Sequence, residues 1–244
     1  MEREHLNEIL EVINPLSERG DLSVIGDILN IHRPKNILEL GVGNGDWLVF
    51  AAAVLQDSSV NLMGYENFTW QLNSPEWTLN LEALNSLNKE RLSKFNLTNK
   101  IEIKNNNIEN LSNDITEFNC SNFDIIRLDC LCNRVDEIDN VIDSVMPYTD
   151  KNCIFLVDDI LPSYCPNRFL SFMGKVEKME LKPLWFGEKE GAWVKPSFDE
   201  KSFHEQLALS FNKYYYTGEI TWRTFYQRLY QFAATRPANR DYFK

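Results

Sequence analysis

Hydrophobic residues in the first 33 positions recur every three or four residues, which is the spacing of one apolar helix face. The pattern predicts two amphipathic helices, with these apolar positions: Leu6, Ile9, Leu10 and Ile13 in the first, and Leu22, Ile25, Ile28 and Leu29 in the second. We expect them to cover one edge of the fold or to form part of a dimer surface.

The middle of the chain alternates short apolar runs with helical patterns. The runs predict five strands, at residues 37–40, 60–65, 101–103, 123–128 and 153–157. Strands separated by helices indicate βαβ units and a parallel sheet with right-handed crossovers. A hairpin at 179–186 and 192–194 adds two strands. We therefore expect an α/β fold: a doubly wound, mostly parallel, seven-stranded sheet.

The last part of the chain is rich in aromatic residues, including Tyr214–Tyr216 and Trp222–Tyr226. A capping box at 197–200 predicts a helix there, and Thr217 is expected to cap another. The aromatic surplus favours either a lid over a flat apolar substrate or a homodimer interface. The predicted organisation is an N-terminal helical cover at 1–33, a main domain at 34–196 and a helical extension at 197–244.

Charge and composition narrow the classes of partner. The formal net charge of −11 would repel a polyphosphate, so we expect no nucleic-acid substrate. The charged N-terminus has no signal-like apolar core, and the run 47–55 is too short to span a bilayer, so we expect no membrane partner and a cytoplasmic protein. Five cysteines without a Cys-x-x-Cys pair and three histidines disfavour a zinc site.

A glycine-rich turn follows the first predicted strand. Gly41, Gly43 and Gly45 stand at alternate positions, with Glu39 two residues before the first. Strand, glycine turn and helix together present backbone N–H groups and a helix N-terminus to a ligand. The dinucleotide pattern Gly-x-Gly-x-x-Gly is not met, because Asp46 occupies the place of its third glycine. A nicotinamide cofactor is therefore disfavoured.

Polar residues follow the other predicted strands. In a doubly wound sheet, ligands bind beyond the carboxyl ends of the strands. Glu66 follows the second strand, where its carboxylate could accept both hydroxyl protons of a ribose. Asn107 and Ile108 follow the third strand, Asp129 the fourth, and Asp158–Asp159 the fifth. Three carboxylates at adjacent strand ends would repel one another unless a cation compensates them, and oxygen ligands suit Mg²⁺, Mn²⁺ or Ca²⁺.

These motifs resemble class I S-adenosylmethionine (SAM)-dependent methyltransferases. The acid-and-glycine turn at 39–45 resembles their first motif, while 123–129 and 154–159 are similar to metal-dependent O-methyltransferases that act on catechols, caffeoyl esters and macrolide sugars. The resemblance implies a Rossmann-like fold and these cofactor-binding residues: Glu39, Gly41, Gly43, Gly45, Glu66, Asn107, Ile108 and Asp129. It also implies a divalent cation, Mg²⁺ or another, on Asp129, Asp158 and Asp159.

The sequence departs from the family at two places. Asn107 stands where an acid usually accepts the adenine amino group, and its amide oxygen could do the same more weakly. The sugar-modifying enzymes carry a histidine shortly after the aspartate of the fourth strand, whereas this chain reads Cys130–Asn133 there. The metal alone could activate the substrate hydroxyl, His204 or a lid tyrosine could take the proton, or the enzyme could be metal-free.

The resulting hypothesis is an enzyme of secondary metabolism that transfers a methyl group from SAM to a hydroxyl of a small molecule, with cation assistance. Asp129 and His204 are the candidate catalytic residues. A metal-free N- or C-methyltransferase, with Asp129 near the amino group of the cofactor, is the first alternative. A SAM-binding module without turnover is the second.

Overall fold

The computed structural model describes residues 3–13, 19–66, 80–98, 101–106, 110–118, 122–129, 135–158, 166–187 and 190–211. The helices are α1 (Arg3–Ile13), α2 (Arg19–His32), α3 (Asp46–Leu55), α4 (Leu81–Lys94), α5 (Leu111–Asp114), α6 (Val135–Val145), α7 (Pro166–Lys178) and α8 (Glu200–Phe211). The strands are β1 (Asn36–Leu40), β2 (Asn61–Glu66), β3 (Ile101–Asn105), β4 (Phe123–Leu128), β5 (Thr149–Val157), β6 (Lys182–Phe186) and β7 (Gly191–Val194).

The strands form one seven-stranded sheet in the order β3-β2-β1-β4-β5-β7-β6. Strands β1 to β5 pair in parallel, and β7 pairs antiparallel with both β5 and β6. The predicted doubly wound α/β fold with a C-terminal hairpin is therefore confirmed. The strand order reverses between β1 and β4, so ligands are expected at the carboxyl ends of these two strands.

The core consists of two layers, one on each face of the sheet. Alternate residues of each strand point to opposite faces. In β1, Ile37 belongs to the layer that contains apolar residues of α1, α2, α3, α4 and α8, whereas Leu38 and Leu40 belong to the layer that contains those of α5, α6 and α7. Helices α1 and α2 thus belong to the layer on one face of the sheet. The sequence had allowed two alternatives for them, a cover over one edge of the fold and part of a dimer surface. A homodimer contact stays a prediction.

The helix before β3 begins later than its sequence pattern indicates. The sequence predicts a start with Ser74 as the cap and Pro75 as the first helical residue, and both lie outside the described residues. The described helix α4 begins at Leu81 and is capped by Asn80, whose side-chain oxygen accepts a hydrogen bond from the N–H of Ala83 at 2.9 Å. Asn80 is a favourable cap for the same reason as serine, because its side chain satisfies an unpaired N–H of the first turn.

Some of the predicted features lie outside the described residues. They include Tyr214–Tyr216, Trp222–Tyr226 and the cap at Thr217, so the roles of lid and interface stay predictions. Within the part of the chain that the structure describes, no helix is long and apolar enough to cross a membrane.

Candidate functional site

The turn between β1 and α3 has the backbone geometry that its glycines predict. Gly41, Gly43 and Gly45 have φ angles of 90°, 54° and 74°, which residues with a Cβ rarely adopt. The N–H of Gly41 donates to the carbonyl of Tyr65 in β2 at 2.9 Å, and that of Gly45 donates to Val42 at 2.8 Å. The turn is thereby fixed at the carboxyl ends of β1 and β2.

Two of these glycines differ in what surrounds them. A Cβ added to Gly45 would lie 2.5 Å from Oδ1 of Asn88, a side chain of α4 that is 2% exposed. Among the described residues, no atom lies within 4 Å of a Cβ added to Gly43. Gly45 is therefore required for packing, whereas Gly43 faces open space. That open space can admit a ligand close to the backbone.

Glu66 lies beside this open position. It ends β2, is 6% exposed, and accepts a hydrogen bond through Oε2 from the N–H of Gly43 at 2.9 Å. The structure thus brings Glu66 and the glycine turn together, as the sequence predicted. The role of Glu66 in binding a ribose stays a prediction.

An ion pair ties the first turn of α3 to α4. Nη1 of Arg91 lies 2.8 Å from Oδ1 of Asp46 and also donates to the carbonyl of Asn44 at 2.9 Å. Burial raises the pKa of Asp46 to about 6, although the charge and hydrogen bond of Arg91 act in the opposite direction. The residue that replaces the third glycine of a dinucleotide turn therefore has a structural partner.

Arg127 is the centre of a buried charged cluster, which we call the Arg127 cluster. It comprises Arg127, Glu39, Asp129, Asp158 and Glu190. The Arg127 side chain is 3% exposed, and that of Glu39 is 1% exposed. Nη1 of Arg127 lies 2.6 Å from Oε1 of Glu39 and 2.8 Å from Oδ2 of Asp129, while Nη2 lies 2.9 Å from Oδ2 of Asp158 and 3.3 Å from Oε1 of Glu190.

Neighbouring strands place the members of the cluster next to one another. Glu39 in β1 is the register partner of Arg127 in β4. The N–H of Asp129 donates to the carbonyl of Leu40 at 2.8 Å, and that of Asp158 donates to Leu128 at 3.0 Å. The ring of Trp47, in the first turn of α3, lies 5.5 Å from the guanidinium carbon, within range of a cation–π contact.

The cluster shifts the pKa values of its members. Burial alone would lower the pKa of Arg127, but the surrounding carboxylates outweigh it and hold that pKa well above its ordinary value. Burial raises the pKa of Glu39 well above its usual range, and the charge of Arg127 offsets only part of this effect. Oε2 of Glu39 has no hydrogen-bond partner among the described residues. Arg127 therefore stays charged, and one buried carboxylate oxygen remains open to a donor.

The predicted metal ligands do not form a metal site in the described residues. Asp129 and Asp158 lie at adjacent strand ends, as expected, but each carboxylate binds Arg127. Asp159 lies outside the described residues. Among the residues that are described, no group of three His, Cys, Asp or Glu side chains could hold a metal ion. The described carboxylates therefore do not fit a divalent cation while Arg127 is bound to them.

The remaining predicted site residues are placed as follows. Asn107 and Ile108 lie outside the described residues, but the neighbouring Asn106 donates to Oδ2 of Asp114 at 2.9 Å, and so does the hydroxyl of Tyr65 at 2.8 Å. His204 lies on α8, where Nε2 is 2.9 Å from the carbonyl of Leu184 in the edge strand β6. Its role as a base stays a prediction.

Sequence reasoning missed Arg127, Glu190 and Asn88. A signal for Arg127 was present, since it stands two positions after the apolar Ile125 in a strand that reads as buried. Such a charge needs a buried partner. The sequence pattern predicts only that Glu190 belongs to a hairpin turn, whereas it is fully buried and its N–H donates to Oδ2 of Asp21 in α2 at 3.2 Å.

No protein-family model matches the sequence, and no curated protein matches it. Solved structures do match its fold. CalS11, a TDP-rhamnose 3′-O-methyltransferase of calicheamicin biosynthesis, is 16% identical with a TM-score of 0.58, covering 80% of this chain and 87% of its own. TomG from Streptomyces achromogenes, an O-methyltransferase of tomaymycin synthesis in complex with SAM, is 14% identical with a TM-score of 0.54, covering 80% and 91%.

A third solved structure also matches the fold at low sequence identity. The O-methyltransferase from Bacillus cereus, in complex with S-adenosylhomocysteine (SAH), is 14% identical with a TM-score of 0.54, covering 80% of this chain and 92% of its own. At this identity the likeness establishes the fold. The chain therefore has the Rossmann-like fold of O-methyltransferase structures.

Proposed function

We propose that this protein is a SAM-dependent methyltransferase that acts on a hydroxyl group of a small molecule. One observation carries the proposal: within the described part of the chain, a Cβ added to Gly43 would have no neighbouring atom within 4 Å, and the N–H of the same residue donates to the carboxylate of Glu66. The fold supports it, because similar structures were determined with SAM or SAH. SAM would supply a methyl group bound to a positively charged sulfur.

The residues of the site would act mainly by positioning the two reactants. The backbone of the glycine turn lets a ligand approach closely, and Glu66 would accept the ribose hydroxyl protons. Oε2 of Glu39 lacks a donor within the described part of the chain, so it could accept one from the ammonium group of the methionine half. Holding the methyl donor and the acceptor oxygen in line would contribute most of the rate acceleration.

The acceptor class is inferred from structures with the same fold. CalS11 acts on the 3′-hydroxyl of a TDP-sugar, and TomG belongs to tomaymycin synthesis. We propose a small-molecule hydroxyl of secondary metabolism for this chain, with Asn107 and Ile108 contacting the adenine. Mg²⁺ on Asp129, Asp158 and Asp159 does not enter the proposal, because Arg127 binds two of these carboxylates.

Calorimetric titration with SAM, SAH and NAD tests the proposal. We expect SAM and SAH to bind one per chain and NAD to give no saturable heat. The Gly43→Ala variant should bind SAM at least about tenfold more weakly, which corresponds to about 1.4 kcal/mol. Gly174→Ala is the matched control, because Gly174 lies in α7 and an added Cβ there also meets no atom of the described residues within 4 Å. No SAM binding by the wild-type chain would refute the proposal.

A further inference from the structure

The position where a divalent cation was expected is held by a side chain of the protein itself. The guanidinium of Arg127 lies 2.8 Å from Asp129 and 2.9 Å from Asp158, using a different nitrogen for each. These are hydrogen-bond distances for charged pairs. A metal ion on the same oxygens would require the guanidinium to leave.

Arg127 is held too firmly to leave easily. Glu39 and Glu190 contact it from the buried side, and the Trp47 ring lies 5.5 Å from its guanidinium carbon. Its side chain is 3% exposed, so water cannot replace the contacts that it would lose. An arginine side chain also keeps its proton at any pH that a folded protein tolerates. A divalent cation would therefore meet a permanent positive charge a few ångströms away.

We infer that Arg127 takes the place of the divalent cation in this fold, so that Asp129 and Asp158 coordinate no metal ion. The guanidinium compensates the two carboxylates and fixes them at the carboxyl ends of β4 and β5. Metal-independent methyl transfer follows if the proposed function is correct. The absence of metal coordination does not depend on that function, and it can be measured without a substrate.

The excess of carboxylates in the Arg127 cluster means that the experiment needs a control for cations that are attracted but not coordinated. Four acidic side chains surround one guanidinium, so loosely held cations will be attracted whether or not any is coordinated. Direct coordination must therefore be separated from screening. Asp158→Asn removes a candidate ligand and one charge. Asp57→Asn removes one charge from an exposed carboxylate that pairs with Lys35 away from the cluster, so it is the matched control.

The experiment is a titration of the full chain, freed of metals by a chelator, with Mn²⁺. Electron paramagnetic resonance measures the concentration of free Mn²⁺. We expect the wild-type chain, Asp158→Asn and Asp57→Asn to differ by less than about twofold in Mn²⁺ affinity, as screening requires. One Mn²⁺ per wild-type chain, weakened about tenfold or more by Asp158→Asn alone, would overturn the inference.

A second variant tests whether removing the guanidinium creates a metal site. Arg127→Met removes the guanidinium and leaves Asp129 and Asp158 uncompensated, so we expect it to gain Mn²⁺ affinity and to be stabilised against heat by Mn²⁺, whereas the wild-type chain is not. A folded Arg127→Met that gains neither would count against the inference. If this variant does not fold, the comparison of wild type with Asp158→Asn decides. SAM titration of the same samples separates a failure of the inference from a failure of the proposed function.

Discussion

Arg127 donates from Nη1 to Oε1 of Glu39 across 2.6 Å, and both side chains are almost completely buried. The pair joins β1 to β4 at the point where the strand order of the sheet reverses. Such a pair is weak evidence for net stability, because desolvation of the two charges offsets their attraction. Replacing only one of the two residues costs more stability, since the charge of the other then stays buried without its partner.

The first prediction concerns this pair. Arg127→Met should destabilise the fold by about 3–5 kcal/mol, because it leaves buried carboxylates without a partner. Glu39→Gln should cost less, since Arg127 keeps its contacts with Asp129, Asp158 and Glu190. Urea denaturation of the single variants and the double variant measures the coupling. Strictly additive effects would show that the two side chains do not interact energetically.

A second prediction separates two glycines of the same turn. Gly45→Ala should destabilise the fold by more than about 2 kcal/mol, because strain at positive φ adds to a clash with Asn88. Gly43→Ala should cost only about 1 kcal/mol, because its Cβ has room. Thermal and urea unfolding measure both. Equal destabilisation by Gly45→Ala and Gly43→Ala would show that the contact with Asn88 does not matter for the packing of position 45.

The third prediction concerns Glu66. Glu66→Gln removes the charge that accepts the Gly43 N–H and leaves a neutral amide of the same size. We expect SAM affinity to fall about tenfold, as the loss of a hydrogen bond to a charged group predicts, with a smaller change in stability. Glu102→Gln in the neighbouring strand β3 makes the same chemical change away from the turn and should leave SAM binding unaltered. Equal affinities for both variants, measured by calorimetry, would remove Glu66 from the ligand site.

The fourth prediction is a pH dependence caused by Asp46. Its pKa is raised from 3.8 in the unfolded chain to about 6 in the fold. Between these values the folded state binds more protons, so this residue makes stability fall as pH rises, by at most about 1.4 kcal/mol per pH unit. The contribution is largest below pH 3.8 and is lost above about 6. Asp46→Asn should remove this slope, which urea titrations from pH 4 to pH 7 would detect.

The fold could be predicted from the sequence because its signals are local. Short apolar runs such as Ile37–Leu40 and Phe123–Leu128, separated by helical patterns, specify parallel strands almost regardless of what else the chain contains. The hairpin of β6 and β7 was predicted for the same reason. The start of α4 at Leu81 was not predicted, because the side chain of Asn80 caps a helix as well as that of Ser74 does, and sequence alone does not choose between such caps.

The candidate site could be predicted only in part. The positions of Glu66, Asp129 and Asp158 at the strand ends were predicted correctly, since the carboxyl ends of parallel strands meet at one edge of the sheet, while their roles stay predictions. Arg127 was missed as a partner of Asp129 and Asp158, because sequence spacing gives the face on which a strand residue lies but not the distant side chains that it meets. The same limit explains Asn88, whose contact with Gly45 joins two elements far apart in the chain.

The hydrogen bond from Glu190 to Asp21 has a consequence for the N-terminal segment. It anchors the turn before β7, and with it one carboxylate of the Arg127 cluster, to the second helix of the protein. Helix α2 therefore contacts the charged centre through Asp21. A chain that lacks α2 would lose this anchor of Glu190, even though every residue of the glycine turn would still be present.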